Sequence, residues 1–231
     1  MYGGLFLISI VFLVIGLIVS QVLKSKFAKY SQERLSSGLS GKDVAQKMLR
    51  DNGIYDVEVI SVEGTLTDHY NPANKTVNLS HDVYNGRNIA AAAVAAHECG
   101  HAVQHATAYQ WLTMRSKMVP AVQISSSIMS FLTLGLALLY YMSGSMRESL
   151  LLVFIVLQSI ITLFSVITLP VEIDASRRAL VWLNQSGITY STEHEDAKDA
   201  LKWAAYTYVV AAVGAAATLA YYIWQFNRSR D

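Results

Sequence analysis

Residues 91–105 read AAAVAAHECGHAVQH, with histidines at 97, 101 and 105 and a glutamate at 98. On a helix, residues four apart lie one above the other on the same face. His97 and His101 therefore aim two imidazoles at one point, as a zinc ion requires. Glu98 projects about 100° round the helix, so it borders that point without binding the ion. From there it can take a proton from a metal-bound water. This is the His-Glu-x-x-His arrangement of zinc-dependent peptide hydrolysis. The competing reading, a chance match or a buried and merely hydrogen-bonded histidine pair, is weakened by the strong helical setting behind Ala91–Ala96 and by the small Gly100. His105 lies two turns from His97, about 12 Å along the axis, which favours packing or support over ligation. Cys99 points away from the metal face and reads as a small core side chain.

A catalytic zinc keeps three protein ligands and one open position. Glu172, in LPVEIDASRRAL at residues 169–180, is the first choice for the third. Glu193, His194, Glu195 and Asp196 are rivals, although their setting suits the first turn of a solvated helix. The alternative for Glu172 is an interfacial carboxylate paired with Arg177 or Arg178.

These residues need elements to hold them. The chain has 231 residues, of which 53% are hydrophobic and only 15% charged, with a formal net charge of +1. An ordinary soluble domain carries about 25% charged residues. The balance points to the lipid bilayer and away from nucleic acid, which demands a strongly basic chain. The one cysteine cannot build an internal disulfide framework and fits a reducing compartment. Apolar runs at 5–23, 119–142, 149–169 and 203–226 are each long enough for a membrane helix of about 20 residues. The first reads as an uncleaved anchor, because no Lys or Arg precedes it and Lys24, Lys26 and Lys29 follow it. Fifteen of the 18 Lys and Arg fall in segments 24–118 and 170–202. The positive-inside rule makes that face cytoplasmic and leaves both termini outside. The cytoplasmic metalloprotease domain is then 24–118, joined by 170–202 with the third ligand, at the cell membrane.

Within 24–118, Ser40 or Gly41 opens a helix with apolar positions at Val44, Ala45, Met48 and Leu49, and Gly53 ends it. VEVISVEG alternates as a strand, and LTDHYNPANKTVNLS reads as two short strands around a turn at Pro72. The spacing predicts a helix over 88–112. A strand edge near 75–80 is expected to be available to an extended peptide. His69 and Tyr70 are candidates for a donor that stabilises the oxyanion. An active site inside the bilayer is disfavoured: only the eight residues Ile89–Ala96 precede the motif as an apolar run, and polar side chains follow.

LTDHYNP, VNLS and VY ahead of AAHECGHAVQ, followed by LPVEIDASRRAL between apolar spans, resemble the YugP-like membrane zinc metallopeptidases, distant relatives of the HtpX-type membrane proteases. The resemblance covers residues 38 to about 210. It implies a mainly α membrane protein: about four transmembrane helices and a zincin-like helical domain with a small β-sheet. It also implies Zn²⁺ bound by His97, His101 and Glu172, with a peptide or protein substrate and a part in membrane-protein quality control. In the HtpX type the third ligand begins a Glu-x-x-Ala-Asp segment. Here Glu172 and Ala175 match, and Ser176 stands where that pattern has Asp. The carboxylate that would support a ligand histidine is thus displaced, and Asp174 or Ser176 is left to replace it. The non-catalytic alternative is a membrane scaffold with a structural zinc, a closed site that would use a fourth ligand such as His105 or His194.

Overall fold

The structure is a computed structural model that describes residues 2–143 and 148–229, with the side chains of Tyr2 and of 134–149 outside the described ones. It is mainly helical with one small sheet. The elements run α1 (Tyr2–Gln32), α2 (Gly41–Asp51), β1 (Glu58–Val62), β2 (His69–Asn71), β3 (Thr76–Ser80), α3 (His81–Asn85), α4 (Ile89–Ala106), α5 (Gln110–Ser143), α6 (Glu148–Gln185) and α7 (Thr192–Arg228). The chain divides into two compact units. One holds Met1–Leu17, Met114–Leu169 and Tyr208–Asp231, and the other Ile18–Thr113 and Pro170–Thr207.

Three helices among the described residues are long and apolar enough to cross a membrane: Gly3–Gln32, Leu150–Gln185 and Thr192–Arg228. Phe6, Leu7, Leu13, Leu17 and Ile18 of α1 are all exposed, which suits a hydrocarbon solvent and not water. The expected span at 119–142 lies wholly inside α5. Its end beyond residue 133 falls outside the residues with described side chains, as do Arg147 and Arg230.

The second unit carries the core that positions the chemistry. Ser40 caps α2 with a reciprocal box: its hydroxyl accepts from Asp43 N–H, and the Asp43 carboxylate accepts from Ser40 N–H. Gly53, at φ +71°, closes the same helix in the left-handed region. Val44, Ala45, Met48 and Leu49 are buried as their spacing predicts. They pack with the alanines of α4, Val77 and Leu79 of β3, and Ala179 and Leu183 of α6.

The sheet order is β1-β3-β2. β1 runs parallel to β3, Glu58 opposite Thr76, and β2 runs antiparallel to it, His69 opposite Asn78. The two strands expected around Pro72 are therefore present. Their turn is closed by Asn71 Oδ1, which accepts from Ala73 N–H at 2.9 Å. The edge expected at 75–80 is corrected: β3 is the central strand, and the free edges belong to β1 and β2. Alternation reveals a strand but not its neighbours.

One helix boundary also differs from expectation. The helix predicted to 112 stops at Ala106, where Thr107 caps it and Ala108 takes φ +49° before α5 begins. Pro170 does not interrupt α6, which continues to Gln185 and carries Glu172 on its C-terminal part.

Candidate metal centre

Asn88 caps α4, its side chain accepting from Ala91 N–H at 2.8 Å. The alanines that follow are buried and offer no bulk, so neighbouring elements approach closely. Gly100 shows how closely. A Cβ there would lie 2.6 Å from the backbone oxygen of Ala175, so only glycine admits this crossing of α4 and α6.

That approach brings Glu172 onto the two histidines. Its Oε2 lies 3.3 Å from His97 Nε2 and 3.6 Å from His101 Nε2. The imidazole rings stand at 81° with centroids 4.8 Å apart. One donor atom from each of the three residues falls within 4.8 Å of the others. Among the described residues they form the one such group of three or more His, Cys, Asp or Glu. His105, Glu193, His194, Glu195 and Asp196 are not in it.

The donor set fits zinc. Ligands at about 2.0–2.1 Å in a tetrahedral site are separated by about 3.3 Å, close to both nitrogen–oxygen distances here. A charge-assisted hydrogen bond would draw the pairs to about 2.7–2.9 Å. The outer nitrogens are also held. His97 Nδ1 lies 3.1 Å from Ser176 Oγ, and His101 Nδ1 lies 3.0 Å from Gln104 Oε1. Each Nε2 is thus turned inward, as metal-binding histidines require. Burial acts to lower the pKa of His101, but the facing Glu172 carboxylate and the charge of Glu98 raise it overall. The same negative field favours a bound cation.

Glu98 is buried on the sheet side of α4. Its Oε2 accepts from the backbone N–H of Tyr70 at 3.0 Å, so edge strand β2 fixes the carboxylate beside the histidines. Tyr70 also places its hydroxyl 2.8 Å from His105 Nδ1. Burial pushes the Tyr70 phenol above its ordinary pKa. His69 is exposed, with Nδ1 2.8 Å from Thr67 O, and its ring is directed to its own loop.

The remaining candidates resolve into structural parts. Cys99 is fully buried, 3.5 Å from Ala45 O, and burial pushes its thiol well above the ordinary value. Glu193 caps the start of α7, accepting from Ser36 N–H at 2.7 Å and Tyr190 N–H at 3.2 Å. Arg178 pairs with Asp174, Nε to Oδ2 at 2.5 Å, and leaves Glu172 to the histidines.

The model of the family described as "Putative neutral zinc metallopeptidase" matches residues 5–227. The chain belongs to this family. It is also 42% identical over 209 residues to the "Putative membrane protease YugP" of Bacillus subtilis (strain 168), covering 90% of each chain. No solved structure gives a significant match. The family's zinc and the three-residue donor group thus agree in chemistry while resting on separate observations.

Gln104 and Asp174 complete the site's surroundings, and sequence reasoning passed over the first. Gln104 Nε2 donates to Val171 O at 2.8 Å and to Asp174 Oδ2 at 2.9 Å. Its spacing of three from His101 was a signal, since i,i+3 neighbours share a face. Ser176 thus meets His97 directly, and Asp174 reaches His101 through Gln104.

Proposed function

We propose that the protein is a membrane-bound zinc endopeptidase of the gluzincin type, with His97, His101 and Glu172 as ligands and Glu98 as general base. The observation that carries this reading is the convergence of two inward Nε2 atoms and one carboxylate oxygen at zinc-ligand separations, with a second carboxylate beside them. A zinc ion held by His97, His101 and Glu172 would supply an acidified water and polarisation of the scissile carbonyl. Glu98, oriented by the Tyr70 N–H, would act as general base toward the attacking water and then pass the proton to the leaving amine. Tyr70 is favoured over His69 as the oxyanion donor: its own N–H holds Glu98 and its hydroxyl meets His105 on α4, whereas the His69 ring is turned to Thr67 O. A non-catalytic scaffold is disfavoured, because a structural site would add a fourth ligand and leave Glu98 without work.

The same reading makes the protein multi-pass, with α5 as a fourth span and the zincin-like unit at the cytoplasmic face of the cell membrane. Most Lys and Arg lie in the segments that unit contains. Substrates are then peptide segments near that surface, and membrane-protein quality control is the role that fits. Hydrolysis of an unfolded protein by the detergent-solubilised chain tests the activity. Wild type cleaves, and Glu98→Gln, still loaded with zinc, does not. Equal cleavage by both would refute the role of Glu98.

A further inference from the structure

Gln104 is completely buried, and its surroundings leave its amide one orientation. Nε2 faces the Val171 carbonyl at 2.8 Å and Asp174 Oδ2 at 2.9 Å. A carbonyl accepts only, and this carboxylate is ion-paired with Arg178. Turning the amide over would set Oε1 against two acceptors, a costly arrangement in the interior. So Oε1 must face His101 Nδ1, at 3.0 Å. Oε1 also accepts only, so Nδ1 carries the hydrogen and the lone pair of the neutral ring sits on Nε2, toward Glu172. His97 differs. Its Nδ1 meets the Ser176 hydroxyl at 3.1 Å, and a hydroxyl donates or accepts by rotating.

We propose that Gln104, locked by Val171 O and by the Asp174–Arg178 pair, is a positioning residue that fixes the tautomer and direction of the His101 imidazole, while Ser176 leaves His97 adjustable. The role rests on the zinc reading above, because it prepares His101 Nε2 to bind a metal. It replaces a direct carboxylate–histidine contact by a neutral amide that transmits the orientation without placing a further negative charge on the ring.

Two measurements on the full-length protein in detergent test this. The first is zinc affinity by competition with a chelator. Gln104→Leu, close in size but without polar atoms, weakens zinc about 10–100-fold. Ser176→Ala weakens it less, and Asp174→Asn, which still offers Gln104 an acceptor, keeps most of it. The second needs neither Gln104→Leu nor metal. Long-range nitrogen–proton NMR of the histidine-labelled, zinc-free wild type at alkaline pH shows His101 as the Nδ1–H tautomer, its signals assigned by their loss in His101→Gln. If Gln104→Leu fails to fold, this second result decides alone. Nε2–H on His101 in wild type, or wild-type zinc affinity in a folded Gln104→Leu, overturns the proposal. Absence of zinc binding by wild type would instead remove the zinc reading and leave the tautomer result standing.

Discussion

At the scale of single residues, Glu98 and Tyr70 make separable predictions. Glu98 is held by one backbone N–H from Tyr70, and a glutamine oxygen can accept that bond equally. Glu98→Gln should therefore fold and keep its zinc while losing about 10²–10⁴-fold in kcat, the usual contribution of a positioned base. A loss of zinc along with the activity would mean that Glu98 is a ligand. For Tyr70→Phe the strand is unchanged and only the hydroxyl goes. Steady-state kinetics should show kcat reduced about 10²–10³-fold, the scale of one oxyanion donor, with KM little altered. An unchanged kcat would return Tyr70 to the packing role its contact with His105 also serves.

At the scale of elements, the site depends on how closely α4 meets α6. Gly100→Ala sets a methyl 2.6 Å from Ala175 O, and backbone must shift to admit it. Thermal unfolding should show a loss of about 1–3 kcal/mol, as overpacking does, together with weaker zinc binding. Wild-type behaviour would show that the crossing has slack. The cap of α2 is a second element-level test. Ser40→Ala should cost about 1 kcal/mol. Hydrogen bonds from Ser40 hold the Asp43 carboxyl below its ordinary value, which is about 3.9. Between the two values the native chain binds fewer protons than the unfolded one, so stability rises with pH there. This contribution is complete above about pH 4 and disappears as pH falls through the lowered value. Tm against pH should show a shallower acid limb in Ser40→Ala, and identical limbs would deny the box that role.

These elements also show what a sequence discloses. The α2 cap, the buried face Val44–Leu49, the strands flanking Pro72 and the His97–Glu98–His101 face were legible because each follows from spacing within a few residues. Glu172 was reachable through its position after an apolar run and a matched motif. The Gln104–Asp174 contact was not, since its partners lie 70 residues apart and nothing local ties them. The stop of α4 at Ala106 was hidden for another reason. Ala108 adopts φ +49°, a conformation its residue type does not advertise. Pro170, whose residue type disfavours a helix interior, lies within α6 all the same.

At the scale of the whole molecule, the number of crossings decides where the ends lie. Gly3–Gln32, Leu150–Gln185 and Thr192–Arg228 qualify as spans; our reading adds α5. Four crossings put both termini on one face, outside, whereas three put them on opposite faces. Reporters fused to each terminus, active on one side only, should agree for the two ends, and disagreement would remove α5 as a span. The central claim, an open three-ligand zinc centre, is tested most directly by zinc content per chain in detergent-purified wild type and Glu172→Ala. The account predicts about one zinc per wild-type chain and its near-complete loss from the variant. Zinc retained undiminished in Glu172→Ala would contradict it, and would move the third ligand away from α6.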